Sequence, residues 1–230
     1  MTVNANPFVV TSGLIYDIDA GNSRSYAGTG TTAYDVSGNN NTTSLVNGVV
    51  YESANFGSFK FDGVDDRMSV PNSSSLSFTS ISVNVWIKFN TFASRQMIAE
   101  KHTSPTLGWW FAGQSNKLVW LVTTSSGAKY IDLTNNTTIN TGTIYNLTGV
   151  YNGSTGALQV YVNAVDDGGT VVGTGTGFSN SSNPMYIGAQ VNWSGASSLS
   201  NIYQMQIYNT ALTATEITQN FNAMRGRYGI

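Results

Sequence analysis

The sequence predicts an all-β sandwich of two antiparallel sheets that ends in one short helix. Short segments of alternating apolar and polar residues recur between Gly, Asn, Ser and Thr clusters from residue 13 to residue 208, and helical periodicity is nearly absent there. The chain is 40% hydrophobic and 12% aromatic, which is enough to form a core and excludes a disordered chain. A length of 230 residues fits one such domain.

The clearest strand is Ile81–Phe89, in which every second residue from Ile81 is apolar and faces the core. The Thr, Ser and Asn residues on the other faces of the strands favour antiparallel sheets with a wetted side, because a parallel sheet covered by helices has continuous apolar runs. The same alternation predicts strands at Leu14–Asp19, Ser58–Asp62, Lys117–Thr124, Lys129–Leu133, Ile144–Tyr151, Ala157–Asn163, Met185–Ala189 and Asn201–Tyr208, with weaker candidates at Leu45–Tyr51, Arg95–Glu100 and Gly108–Ala112.

Turn residues between these segments predict tight hairpins. The runs 151–154 (Tyr-Asn-Gly-Ser) and 167–169 (Asp-Gly-Gly) contain residues that tolerate a positive φ, which such turns require. We therefore expect consecutive strands to be mostly antiparallel.

One helix is predicted near the C-terminus. Thr213 and Glu216 have the spacing of a capping box, and Gly226 is the expected end of the helix. We expect Arg225 and Arg227 to complement the helix dipole. Three apolar residues at helical spacing would dock this helix on the sandwich: Ile217, Phe221 and Met224.

Composition excludes several classes of function. Charged residues make up 10% of the chain, against roughly 25% in an average globular protein, and the net charge is −2. The ten basic residues are scattered, so neither nucleic acid nor an anionic membrane is an expected partner. The absence of Cys and the single His102 exclude thiolate sites and His-rich metal sites. No signal peptide or apolar span is evident, so we expect synthesis in a cytoplasm.

Four segments resemble one known superfamily. They are GLIYDIDAGNSRSYAGTGTTAYDVSGNNN (13–41), SFKFDGVDDRMSVPNSSSL (58–76), GVYNGSTGALQVYVNA (149–164) and QIYNTALTATEITQNFNAMRGRYGI (206–230). In this order they resemble the concanavalin A-like lectin/glucanase superfamily, and within it the laminin G-like jelly-roll domains. The closing run is similar to the version found in virion proteins of tailed bacteriophages.

The resemblance implies a jelly-roll of two curved antiparallel sheets over residues 13–212, with the helix and tail at 213–230 docked on it. Residues 1–12 are left as an N-terminal arm or an extra strand. The superfamily contains lectins, glycoside hydrolases, calcium-dependent adhesion modules and virion structural modules, so the fold alone does not select a function.

We expect no catalytic activity and no catalytic residue. The glucanases of the superfamily carry their two carboxylates in a Glu-x-Asp-x-x-Glu strand, which this sequence lacks. The only Glu residues are Glu52, Glu100 and Glu216, and Glu216 is assigned to the helix cap.

Calcium is the one cofactor that the sequence leaves open. Many relatives carry an acidic pair before the last strand, whereas the aligned stretch here, 202–208, has Gln204 and Gln206, so a calcium site is not expected there. Asp62, close to Asp65 and Asp66, is the weak metal candidate, because carboxylate oxygens are ligands that calcium takes.

Glycan binding would require an exposed aromatic side chain flanked by hydrogen-bonding groups. Trp193 and Asn192 lie in a loop-like run and are weak candidates. Trp110 is the third, because adjacent Trp109 and Trp110 point to opposite faces of a strand. For each Trp the alternative is a packing role.

The leading hypothesis from the sequence is a non-enzymatic structural or display protein on the surface of a tailed-phage virion, as a capsid decoration or a tail-associated module. Its partners would be other virion proteins, including further copies of itself. The alternative is a carbohydrate-binding or adhesion module that contacts host surface glycans.

Overall fold

The computed structural model describes residues 8–103, 107–131, 133–191 and 197–230. These ranges contain two antiparallel sheets that enclose a common core, and one C-terminal helix. The strands are β1 (Leu14–Asp19), β2 (Thr32–Ala33), β3 (Thr43–Val46), β4 (Val50–Glu52), β5 (Ser58–Lys60), β6 (Arg67–Val70), β7 (Ile81–Phe89), β8 (Gln96–Thr103), β9 (Leu107–Gln114), β10 (Lys117–Thr124), β11 (Gly127–Ile131), β12 (Ile144–Asn152), β13 (Ala157–Val162), β14 (Val165–Asp166), β15 (Val171–Val172), β16 (Met185–Ile187) and β17 (Ser200–Tyr208). The helix α1 is Ala214–Tyr228, and single 3-10 turns lie at Ala54–Phe56 and Ser74–Leu76.

All strand pairings in the described ranges are antiparallel, whereas the sequence predicts this for most consecutive strands. The eight-stranded sheet has the order β14-β13-β12-β7-β17-β5-β4, and β1 also pairs with β17. The nine-stranded sheet has the order β15-β11-β10-β9-β8-β16-β6-β3-β2. This arrangement confirms the predicted all-β sandwich with one terminal helix.

Most predicted strands are confirmed, whereas β2, β6, β14 and β15 were not predicted. The strands β1, β7 and β10 have the predicted bounds. The segment predicted as one strand from Leu45 to Tyr51 is instead two strands in different sheets, because Asn47 and Gly48 adopt positive φ and turn the chain. The turn at 167–169 has the predicted positive φ at both glycines, but it links β14 to β15, which lie in different sheets.

The helix α1 begins as predicted and ends later than predicted. The Thr213 side chain accepts the N–H of Glu216, and the Glu216 carboxylate accepts the N–H of Thr213 at 2.8 Å. The prediction that Gly226 ends the helix is wrong: the helix continues to Tyr228 and ends at Gly229, which has φ +72°. No helix in the described ranges could span a bilayer.

Aromatic stacking attaches α1 to the outer face of the eight-stranded sheet. Trp86, on β7, is fully buried, and its ring lies 5.7 Å from Phe221 and 4.5 Å from Tyr228. Arg227 does more than complement the helix dipole, because it forms a 2.8 Å ion pair with Asp19 on β1.

The polar outer face of this sheet is buried, so the expected wetted side is wrong for this sheet. The side chains of Asn146 and Thr148 donate to Asn84 Oδ1 at 2.8 and 2.9 Å. Asn84 donates to Gln206 Oε1 at 3.1 Å, and Gln206 donates to Asp17 Oδ2 at 3.2 Å. All five side chains are buried. Their mutual hydrogen bonds satisfy most of these polar groups in the absence of bulk water, and Asn146 Oδ1 has no hydrogen-bond partner among the described residues.

The described part of the N-terminal segment runs along α1. Val10 N–H donates to Asn220 Oδ1 at 2.7 Å, and the carbonyl of Phe8 accepts a hydrogen bond from Gln219 at 2.8 Å. Val10 also packs in a small apolar cluster with Tyr208 and other residues. Residues 1–7 of the predicted arm lie outside the described residues.

Candidate functional site

The outer face of the nine-stranded sheet carries a row of neighbouring side chains. Trp110 on β9 lies opposite both Glu100 and Leu121, and Leu121 lies opposite Tyr130. Residues that pair directly across antiparallel strands share one face of the sheet. This face is the outer one, because the alternate residue Trp109 belongs to the core between the sheets.

A pocket of about 530 Å³ lies over this row. An apolar lining with a few polar groups is the usual composition of a small-molecule site. The apolar and aromatic lining consists of Trp110, Val119, Leu121, Tyr130 and Leu133. The polar lining consists of Arg95, Gln114 and Thr134.

Arg95 is held against the pocket wall by two contacts. The guanidinium carbon lies 4.7 Å from the centre of the Trp110 ring, and Nε donates to Gln114 Oε1 at 2.8 Å. A cation over an indole face is attracted by the ring quadrupole. Partial burial lowers the pKa of Arg95, although an arginine stays charged at neutral pH. Among the described residues, no carboxylate forms an ion pair with Arg95.

The structure describes one of the three predicted glycan-binding residues, Trp110. Trp109 is in the core and Trp110 is on the opposite face, as the alternation predicts. Trp110 forms part of the pocket, but it is only 6% exposed. Its role is therefore largely that of a packed support for Arg95. The other two candidates, Asn192 and Trp193, lie outside the described residues.

Of the eight described lining residues, the sequence indicates only Trp110 as a candidate, and Arg95, Gln114 and Tyr130 are among the seven that it does not. Tyr130 lies within the predicted strand Lys129–Leu133, Arg95 begins the weaker candidate Arg95–Glu100, and Gln114 lies between two predicted strands. Each is unremarkable alone. Their convergence depends on the order and register of β8–β11, which alternation within one strand does not encode.

A tight acidic turn between β5 and β6 contains the predicted metal candidate Asp62. One carboxylate oxygen from each of Asp62, Asp65 and Asp66 lies within 4.8 Å of the others. Asp62 Oδ1 accepts the N–H of Val64 at 2.8 Å, which stabilises the turn.

Asp66 is the buried member of this acidic turn. Its Oδ1 atom has no hydrogen-bond partner among the described residues, and its side chain is 3% exposed. Burial, followed by the negative charges of Asp62 and Asp65, raises the pKa of Asp66. Clustered carboxylate oxygens with one buried and unsatisfied fit the hard-oxygen preference of calcium.

The stretch where relatives carry an acidic pair has a different chemistry here. Gln204 and Gln206 direct their amide N–H groups at the two oxygens of Asp17, each at 3.2 Å. Burial raises the pKa of Asp17 to about 7, and the charges of Asp19 and Asp35 act in the same direction. Amide N–H groups are not metal ligands, so this donor set does not fit calcium.

A family model agrees with the fold. The model described as the concanavalin A-like lectin/glucanases superfamily, of the laminin G type, matches residues 62–218, which is more than half of the chain. No curated protein sequence matches the chain.

Solved structures with a similar fold include binding domains. The binding domain of Paraclostridial Mosquitocidal Protein 1 superposes with a TM-score of 0.71 and 16% identity over 92% of this chain and 52% of that one. The binding domain of botulinum neurotoxin serotype G superposes with a TM-score of 0.69 and 16% identity, over 90% of this chain and 50% of that one. The third is domain 4 of AbnA, a GH43 extracellular arabinanase from Geobacillus stearothermophilus, in complex with arabinotriose. It superposes with a TM-score of 0.69 and 18% identity, over 91% of this chain and 98% of that one.

The extent of these matches differs. The chain spans about half the length of the two toxin domains and nearly all of the arabinanase domain. At these identities the likeness shows a common fold.

Proposed function

The chain belongs to the concanavalin A-like lectin/glucanase superfamily, and on this premise we propose that it is a non-catalytic carbohydrate-binding module. Its ligand would occupy the pocket on the outer face of the nine-stranded sheet. The alternative reading of the sequence, a glycan-binding module, is thus preferred to the leading one.

The observation that carries this proposal is the composition of the pocket. The partly exposed ring of Tyr130 provides a planar group on which the apolar face of a sugar ring can lie, beside the guanidinium of Arg95 over Trp110. The side-chain oxygen of Gln114 accepts from Arg95, and its amide N–H can donate to a sugar hydroxyl. A volume of about 530 Å³ is within the usual range for small-ligand sites.

The similar structures support a binding role. One of them is a domain of an arabinanase in complex with arabinotriose, and the others are toxin binding domains. What those proteins bind is not transferred to this chain residue by residue, because the identities are 18% or lower.

The test is a glycan array followed by titration calorimetry with the best oligosaccharide. Tyr130→Ala should weaken binding at least about tenfold, because truncating an aromatic contact residue commonly costs more than 1 kcal/mol. The matched control is Tyr34→Ala, which removes a 56% exposed tyrosine that does not line the pocket. A blank array, or equal binding by the wild type and Tyr130→Ala, would refute the proposal.

The non-catalytic part of the proposal has its own test. No described residue of the pocket lining is a carboxylate, whereas glycoside hydrolysis normally uses two of them at the scissile bond. We expect no release of reducing sugar from any polysaccharide that the protein binds. Release that survives purification to homogeneity would contradict this expectation.

The virion display role stays a prediction from the sequence resemblance, and with it the location on a virion surface and the partnership with other virion proteins. It is compatible with glycan binding, because a displayed module can also bind a host glycan. Mass spectrometry of purified particles should detect this chain in multiple copies. Its absence from the particles would exclude the role.

A further inference from the structure

The charge of the pocket distinguishes between classes of sugar. Arg95 is the one cation in the described lining, and that lining contains no acidic residue. The nearest carboxylate along the row of paired residues is Glu100, on the far side of Trp110. Glu100 is fully buried, and its Oε1 accepts the N–H of Val191 at 2.9 Å, so it is not presented to a ligand.

The contacts of Arg95 fix its orientation and leave most of its donors available. An arginine has five N–H donors, and only the Nε donor is used in the contact with Gln114. The ring of Trp110 supports the guanidinium plane from one side. An ordered guanidinium loses less side-chain entropy when it binds a planar oxyanion in a bidentate geometry.

A second positive charge lies beside this arrangement. Lys117 on β10 is directly opposite Gln114, and its Nζ donates to the backbone carbonyls of Asn135 and Asn136 at 2.8 and 3.0 Å. These partners are neutral, so the lysine charge is not cancelled by them. Among the described residues no carboxylate forms an ion pair with Lys117 or Arg95, so two positively charged side chains lie at this end of the pocket.

We propose that the pocket selects an acidic saccharide, whose carboxylate binds Arg95 while its ring lies on the apolar floor. This inference rests on the proposed carbohydrate-binding function and adds the charge of the ligand. Arg95 forms no ion pair with a described carboxylate, and its partial burial, which lowers its pKa, is a desolvation cost that a ligand carboxylate offsets. A polyphosphate ligand fits less well, because it requires a cluster of basic residues rather than one or two.

The experiment compares sugars that differ only in charge. Titration calorimetry would use an oligogalacturonide, its methyl-esterified neutral form, and 3′-sialyllactose with lactose as its neutral partner. A sulfated oligosaccharide forms a separate arm, because sulfate shares the negative charge but not the planar carboxylate. We expect at least one acidic sugar to bind at least about tenfold more tightly than its neutral partner, with an affinity that falls as salt is raised.

Variants of Arg95 test the assignment to this residue. Arg95→Gln should reduce the ratio of the affinities for acidic and neutral sugars to within about twofold of unity. Arg95→Lys should retain part of the preference for acidic sugars, because it keeps the positive charge but cannot bind a carboxylate in a bidentate geometry. Arg24→Gln, which removes an exposed arginine outside the pocket, is the control of equal net charge. Thermal unfolding of each variant verifies that it is folded.

The outcomes separate the two proposals. If no sugar binds, the proposed function fails and the inference fails with it. If neutral and acidic sugars bind equally, or if only the sulfated sugar is preferred, the carboxylate inference is overturned while the binding function stands. If Arg95→Gln keeps the acidic preference, the assignment to Arg95 is overturned.

Discussion

The buried carboxylate of Asp17 should make the stability of this protein depend on pH. Asp17 is 7% exposed, and burial raises its pKa from 3.8 to about 7. One pKa unit corresponds to about 1.36 kcal/mol, so ionised Asp17 costs the folded state about 4 kcal/mol. Because the folded pKa lies above the unfolded pKa, this cost is absent below about pH 4 and grows as the pH rises towards 7.

Asp17→Asn removes the charge and keeps the shape. Gln204 Oε1 is buried without a hydrogen-bond partner among the described residues, so rotation of that amide lets it accept from an amide at position 17. The free energy of unfolding of the variant, relative to the wild type, should therefore increase by about 4 kcal/mol between pH 4 and pH 8.

Urea denaturation followed by tryptophan fluorescence, at one-unit pH steps, measures this difference directly. Taking the difference between two proteins cancels the other titrating groups they share. The control is Asp166→Asn, which removes an exposed carboxylate. Its free energy of unfolding relative to the wild type should change by less than about 0.5 kcal/mol over the same pH range. A difference for Asp17→Asn that is constant with pH, or that shrinks as the pH rises, would refute the reasoning.

Three further predictions concern the helix and the acidic turn. Trp86→Ala should cost about 3–5 kcal/mol of unfolding free energy in urea, because Trp86 is fully buried against Phe221 and Tyr228; a loss below about 1 kcal/mol would contradict the role of this contact. Thr213→Ala should cost about 1 kcal/mol in the same assay while Thr213→Ser costs little, since only the first removes the capping oxygen; equal losses would argue against the cap. Calcium at about 10 mM, compared with EDTA, should add about 1.4 kcal/mol if the acidic turn binds it with a Kd of about 1 mM, and Asp66→Asn should abolish the gain; identical stability in calcium and EDTA would exclude the site.

The strand pattern was predictable because it is local. The apolar residues at every second position of β7 place one face in the core, and the structure has these bounds unchanged. The start of α1 was predictable for the same reason, since the Thr213 cap acts within one turn. The end of α1 was not, because Tyr228 is held in the helix by its distant contact with Trp86, which outweighs the low helix propensity of Gly226.

The candidate site was only partly predictable. The alternation of side chains along a strand correctly predicts that Trp109 and Trp110 lie on opposite faces of the sheet. It cannot show that Arg95 covers Trp110, or that Tyr130 lies two strands away on the same face, because those positions depend on the pairing register of β8–β11.

The sequence by itself determined the all-β class, the positions of most strands and the start of the helix, since each is a property of neighbouring residues. Only the tertiary structure decided which polar faces are covered. The polar side chains of Asn84 and its hydrogen-bonded neighbours predict a solvent-exposed surface, yet they are buried on the face where α1 packs against the sheet. The tertiary structure also decided that Arg95, Trp110 and Tyr130 share one pocket. Both results depend on contacts between residues far apart in the chain, which no local period encodes.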